Sequence, residues 1–135
     1  MRVPLGARHK RATAMPVSST FRTFVLDQLG RVAPHIRAKS MFGGVGIYSS
    51  DVFFALIAGD ELYLKVDESN RIDYEALGIG PFRPYGPDGE AMQYYRLPDD
   101  LLEDVEALRV WVDKAIVVAR RKKGKRRSGG EQPGT

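Results

Sequence analysis

The sequence predicts an α+β domain, an antiparallel sheet with helices packed on it, in the order α-β-β-β-α-β-β-α. Three observations predict it. Apolar residues recur at helical spacing near both ends of the chain, at Phe21, Phe24, Val25 and Leu29 and again from Leu101 to Ala119. Between them lie short runs rich in β-branched and aromatic residues, such as "VFFALIA" and "ELYLKV", divided by turn residues. A length of 135 residues with 43% apolar content suits one domain with a real core.

The elements follow in order. "SSTFRTFVLDQLG" has Ser and Thr in front for capping and Gly30 at the stop, giving a helix over about residues 19 to 29. "VAPHIR" is a connector, because Pro34 disfavours helix before it. A first strand is expected near 39 to 48, then "VFFALIA" after Ser49-Ser50-Asp51, then "ELYLKV" after Gly59-Asp60, a two-residue hairpin signal. In that third strand Leu62, Leu64 and Val66 alternate with Glu61, Tyr63 and Lys65, so one face of the sheet is buried and the other wetter. "DESNRIDYEALG" opens on capping side chains and closes on Gly78 as a short second helix. "PFRPY" and "AMQYYRLP" are read as two more strands around "GPDG", the former an edge or very short one because of Pro81 and Pro84. The last helix begins at "DDLLEDVE", and Leu101, Val105, Leu108, Val112, Ala115, Ile116 and Ala119 form its stripe. Its acids stand at the start and its bases toward the end, which complements the helix dipole.

The domain is expected over residues 15 to 119, between a disordered arm at 1 to 14 and a basic disordered tail at 120 to 135; Met15 is a possible native start. Charge separates in the same way. The net +4 hides four basic groups without an acid in the arm, and seven with one acid, Glu131, in the tail. The part between has ten Lys or Arg against sixteen Asp or Glu, so the folded unit is acidic and is no uniformly basic nucleic-acid-binding domain. The tail residues Arg120, Arg121, Lys122, Lys123, Lys125, Arg126 and Arg127 could contact nucleic-acid phosphates weakly and nonspecifically. They could equally fold back on the acidic domain, or serve solubility alone.

The chemistry-bearing residues are few. With no cysteine there is no disulfide and no thiolate site, which suits a reducing cytoplasm. No apolar window is long enough to span a membrane, and the N-terminus has no apolar core for a secretory signal. Of two histidines, His9 lies in the arm and His35 in the Pro-flanked connector, where neither has a nucleophile to serve. Asp99, Asp100, Glu103, Asp104 and Glu106 form an acidic cluster whose ordinary role is helix capping. No catalytic constellation, metal site or cofactor site is expected. Tyr48, Tyr63, Tyr85, Tyr94 and Tyr95 could be stacking platforms, but packing within the sheet is the preferred reading. Lys65 is read as an exposed solubilising residue rather than a partner contact, and Trp111 as a core anchor.

The glycines of "MFGGVGIY" do not match a phosphate loop. Ile47 and Tyr48 follow Gly46 where a Walker loop needs Lys and Ser or Thr, and the spacing of Gly43, Gly44 and Gly46 is not that of a dinucleotide fingerprint. They are read as backbone shape, a bulge or twist inside the first strand that turns Met41 and Phe42 inward.

These motifs carry a resemblance. "MFGGVGIY", "FFALIAGDELYLKVD", "GIGPF", "MQYYRLP" and "ALRVWVDKAIVVARR" together resemble the N-terminal domain of the TfoX/Sxy family, bacterial regulators of competence genes, over about residues 20 to 121. A basic residue commonly precedes the Met-Phe pair in that family; here Ser40 stands there, with Lys39 one position earlier. The resemblance makes Met41, Phe42, Gly43, Gly44, Gly46, Tyr63, Lys65, Pro81, Phe82 and Trp111 the structural family motif. It implies a secretion-chaperone-like fold and a cytoplasmic, non-enzymatic regulator without cofactor. Such a protein would act by protein–protein contact, with transcription machinery a possible partner and a homodimer a possible state. The alternative is a stand-alone interaction or chaperone-like module with no transcriptional role.

Overall fold

A computed structural model describes residues 17–41 and 43–131, with side chains as far as Gly124; the arm at 1–14, Met15 and Phe42 lie outside the described residues. The fold class is the one expected: five antiparallel strands with helices packed against them. The elements are α1 (Ser19–Val32), β1 (Ile36–Met41), β2 (Gly44–Ser49), β3 (Val52–Ala58), β4 (Glu61–Lys65), α2 (Arg71–Glu75), β5 (Tyr94–Arg96), α3 (Asp99–Glu103) and α4 (Val105–Glu131). The strands lie in chain order, β1-β2-β3-β4-β5, each antiparallel to the next.

Helix α1 starts where its sequence says, with the Ser18 hydroxyl accepting the Phe21 N–H at 3.1 Å. It does not stop at Gly30 but continues to Val32, because Leu29 and Val32 both have a core to enter. The run at 39 to 48 is not one strand. Met41 pairs with Gly44, so the run is two strands that meet at a tight hairpin, with Gly43 in its turn. Gly43 takes φ +80°, the left-handed conformation that a side chain disfavours. The irregularity expected at the glycines falls one strand further on: Ile47 faces Ala55 and Tyr48 faces Phe53, which leaves Phe54 as the extra residue of a bulge in β3. That bulge buries both Phe54 and Ala55. The Gly59-Asp60 hairpin forms as read, with Gly59 at φ +63°.

The fourth expected strand, "PFRPY", supplies only an isolated bridge between Pro81 and Tyr95, since each proline lacks the N–H a ladder needs. The last helix is broken at Asp104, which is extended (φ −103°, ψ 103°). Its carboxylate accepts the N–H groups of Glu106 at 3.1 Å and Ala107 at 3.2 Å, so the acidic cluster does contain an N-cap, placed between two helices. α4 then continues through residues 120–131, which the sequence places in the tail.

All the helices pack on one side of the sheet. Val45, Ile47, Phe54, Ile57, Leu62 and Leu64 meet Val25 and Leu29 of α1 and Leu108, Val112, Ala115 and Ala119 of α4 in the main core. A smaller cluster of Val66, Tyr74, Ile79 and Tyr95 sits beside it, and Trp111 touches both. Two buried polar side chains in this layer are tied to backbone: the Gln28 amide donates to the Leu102 carbonyl at 3.0 Å, and Ser49 to that of Pro34 at 2.7 Å, whereas the buried Tyr74 hydroxyl has no partner among the described residues.

Candidate interaction surface

Alternation puts one residue in two on the opposite face of the sheet. Arg37 on β1, Tyr48 on β2, Phe53 on β3, Lys65 on β4 and Tyr94 on β5 all point there, as cross-strand partners or diagonal neighbours. Tyr48 and Phe53 stack with centroids 5.1 Å apart and planes 23° from parallel. The Arg37 guanidinium lies 4.6 Å from the centre of the Tyr48 ring. The Lys65 ammonium lies 5.4 Å from the centre of Phe53 and 5.3 Å from that of Tyr94. The sequence thus forms a row of cations and rings across all five strands, held by cation–π and cross-strand contacts.

A second row runs parallel to the first, through Lys39, Gly46, Leu56, Tyr63 and Arg96. Phe82, carried over the sheet by the loop after α2, packs on Tyr63 with centroids 4.2 Å apart. Burial, with the neighbouring Glu61 charge, raises the Tyr63 phenol above its ordinary pKa. Glu61 stands 4.0 Å from Arg96. Burial raises its carboxyl too, with Arg96 opposing and Asp99 and Asp60 adding to the rise.

Gly46 leaves the gap that joins the rows. A Cβ there would lie 2.6 Å from the Met41 methyl and 3.1 Å from the Phe53 ring, so Met41 folds back over Gly46 on the open face and does not turn inward. Gly44 solves a different problem: its Cβ would meet the Ile57 carbonyl at 2.5 Å, across the next strand but one from its hairpin partner Met41. Both residues occupy ladder positions, so their backbone shapes a sheet, as the sequence implied, and cradles no phosphate.

The family-motif residues therefore divide. Met41, Gly46, Tyr63, Lys65 and Phe82 come together on the open face, Gly43 makes the hairpin, Gly44 permits close strand approach, and Pro81 bridges to Tyr95. Trp111 is on the other side, half-buried, edge-on to Tyr74 at 4.8 Å. Lys65, read as exposed, is half-buried between its two rings. Arg37, Phe53 and Arg96 are not singled out by sequence; their alignment needs the strand register, which depends on recognising the hairpin that turns at Gly43. The cross-strand match of Arg37 with Tyr48 would have been the signal.

Of the basic tail residues, Arg120, Arg121 and Lys122 are exposed on α4 and Lys123 is half-exposed. Arg121 lies 3.8 Å from Asp67 and 3.3 Å from the Ser69 hydroxyl, and Lys123 lies 3.7 Å from Asp51. These cations reach back to the domain. The side chains of Lys125, Arg126 and Arg127 lie outside the described residues. Burial would raise the Asp67 carboxyl, but hydrogen bonds from the Ser69 hydroxyl and amide, with the Arg121 and Lys122 charges, outweigh it and hold it below the ordinary Asp value.

Elsewhere, a shallow groove of about 210 Å³ is lined by Ser69, Asn70, Asp113, Lys114 and Val117. Its Asn70 is committed to the Lys65 carbonyl at 3.2 Å and the Asp67 amide at 2.9 Å, and its Lys114 to Asp73 at 2.8 Å. His35 is exposed in the connector, its carbonyl accepting the Ser50 amide. Among the described residues no three His, Cys, Asp or Glu side chains gather as metal ligands would, and no helix is long and apolar enough to cross a membrane.

Comparison with curated proteins finds no match to the chain. Comparison with protein families does: residues 27–119, from the middle of α1 to the last core residue of α4, match the TfoX N-terminal domain. The hairpin glycines, the two-row open face and the Trp111 junction all fall inside that span, and the chain belongs to the TfoX N-terminal domain family.

Proposed function

We propose that this domain is a non-enzymatic bacterial regulatory protein that works by protein–protein contact through its open sheet face, in the control of competence genes or of transcription. One observation carries the reading: five of the motif residues, Met41, Gly46, Tyr63, Lys65 and Phe82, gather on the sheet face that the helices leave uncovered. A core needs its apolar residues inside; nothing in packing requires half-buried rings and cations in rows outside. Such a face, with aromatic and Arg side chains enriched, has the composition of a contact surface. Its side chains pair with one another rather than converge on a point where a reacting atom could sit. A cytoplasmic setting suits a chain without cysteine. α4 beyond Ala119 adds nonspecific nucleic-acid proximity, weakened by the return of Arg121 and Lys123 to Asp67 and Asp51.

The test places a charge at the centre of the face. Leu56→Lys stands between Gly46 and Tyr63, away from the core. In cells whose native copy is replaced by this variant, transcripts that depend on the protein should change as they do on its deletion, and proteins cross-linked to it should be lost. Unaltered cross-linking and unaltered transcripts would reject the reading. Lost cross-links with unaltered transcripts would instead support an interaction module without a regulatory role.

A further inference from the structure

The way the rings stand on the open face constrains what the face can hold. Tyr48 and Phe53 are near-parallel with centroids 5.1 Å apart, close to the spacing of the strands that carry them. Their ring normals therefore run along the sheet from strand to strand, and their edges point away from it. The ring faces are already engaged: Tyr48 lies between Arg37 and Phe53, and Phe53 between Tyr48 and the Lys65 ammonium. A nucleobase needs a ring face to stack on, and this row presents edges. An aromatic edge is the positive part of the ring quadrupole. Edges flanked by Arg37, Lys39 and Lys65 make a positive strip on a domain whose sequence between the two ends is net acidic.

We infer that the open face recognises an acidic, extended segment of a partner protein, laid across the strands along the row from Arg37 to Lys65. This rests on the protein-contact reading above and names the chemistry of the partner. From β1 to β4 is three strand spacings, about 14 Å, which an extended chain covers in about four residues. Two carboxylates spaced about that far apart would meet Arg37 at one end and Lys65 at the other, with small or apolar side chains over Tyr48 and Phe53 between them. The guanidinium held over Tyr48 is pre-oriented, so little side-chain freedom is lost when a carboxylate arrives.

The experiment is an NMR titration of the full chain at low salt with a peptide of six Glu–Ser repeats. A matched peptide of six Lys–Ser repeats and a twelve-residue oligothymidylate serve as comparisons. The acidic peptide should shift the amides around Arg37, Tyr48 and Lys65. Its affinity should fall at least tenfold in Arg37→Glu and in Lys39→Glu, two exposed positions, with melting curves of both variants checking that the fold is kept. A variant with Lys125, Arg126 and Arg127 changed to Gln should keep the face shifts. The inference is overturned if Arg37→Glu binds as wild type, if the shifts map only to residues beyond Ala119, or if the oligothymidylate shifts the face amides more strongly than the peptide. Failure here is separable from failure of the wider reading. If Leu56→Lys loses its cross-links in cells while Arg37→Glu keeps them, the face is an interface that does not read acid; if both keep them, both proposals fall.

Discussion

One methyl group distinguishes the glycines of this chain by what each is for. At Gly43, φ is +80° and nothing lies within 4 Å of an added Cβ, so the penalty is conformational alone. Gly43→Ala should destabilise by about 1–2 kcal/mol, the usual cost of left-handed backbone for an L-residue. At Gly44 the added carbon meets the Ile57 carbonyl at 2.5 Å, and that oxygen is fixed in the sheet. Gly44→Ala should therefore cost more than Gly43→Ala, at the upper end of about 1–3 kcal/mol for overpacking. Gly30 has open space, an ordinary φ and a helical neighbourhood, so Gly30→Ala should stabilise by about 0.5–1 kcal/mol. Urea unfolding of the three variants checks the order; a Gly44→Ala protein as stable as wild type would show that β2 and β3 do not approach as described. Met41 belongs to the same small system. Its thioether fills the space that Gly46 leaves, which explains why a long flexible side chain and a residue without one occur five positions apart on neighbouring strands.

Trp111 shows what an element contributes beyond its own stripe. It stands on α4 between two stripe positions, meets Tyr74 of α2 edge-on, and touches both apolar clusters. Because the indole is half-buried, Trp111→Ala should destabilise by about 2–3 kcal/mol, below the range for a fully buried tryptophan, with α2 released first. Tyr74 and Ile79 amides exchanging faster than those of Leu62 and Leu64 in the variant would show this; uniform loss of protection would refute it. The same elements show how far the sequence could be read. α1, the β3–β4 hairpin and the stripe of α4 were legible because local chemistry and tertiary demand agree there: Ser18 caps, Gly59 turns, and Leu108, Val112 and Ala115 face the core. The β1–β2 hairpin was not, because a strand with glycines at three positions and a pair of strands with a glycine turn have nearly the same pattern. The break at Asp104 was hidden by apolar residues that continue across it, since Leu102 and Leu108 are both buried on the helix side of the sheet. "PFRPY" reads as an edge or very short strand beside the turn "GPDG", and its prolines limit it further, to one bridge, and leave Phe82 to cover Tyr63. On the open face, the motif glycines and Lys65 were legible as positions, but their assembly into rows requires the register of five strands.

At the scale of the whole molecule, charge is arranged in space as well as along the chain. The acidic cluster of α3 and the start of α4 belongs to the helix layer, while the sheet face carries Arg37, Lys39, Lys65 and Arg96 against one acid, Glu61, which pairs with Arg96. The far part of α4 is drawn toward the body by Arg121 to Asp67 and Lys123 to Asp51, exposed pairs that salt screens readily. Because the Asp67 carboxyl is held below its ordinary value, its ion pair and Ser69 hydrogen bonds contribute fully above the unfolded Asp range and are lost as pH falls through the lowered value. Below about pH 4, the ordinary Asp range, amides of residues 120–124 should lose protection relative to those of 108–118, after correction for intrinsic exchange. Asp67→Asn should remove that pH response, and a variant that retains it would assign the effect elsewhere. Finally, five strands in chain order give the sheet a history as well as a shape. The first four strands pair through short connections, so they can zip strand onto strand with little loop-closure entropy, whereas β5 reaches β4 only after the long segment that carries α2. The helix layer differs, because Val25 and Leu29 must wait for Leu108 and Val112 from the opposite end of the domain. During synthesis the newly formed sheet would expose its greasy side until α4 leaves the ribosome, so the last helix closes the fold.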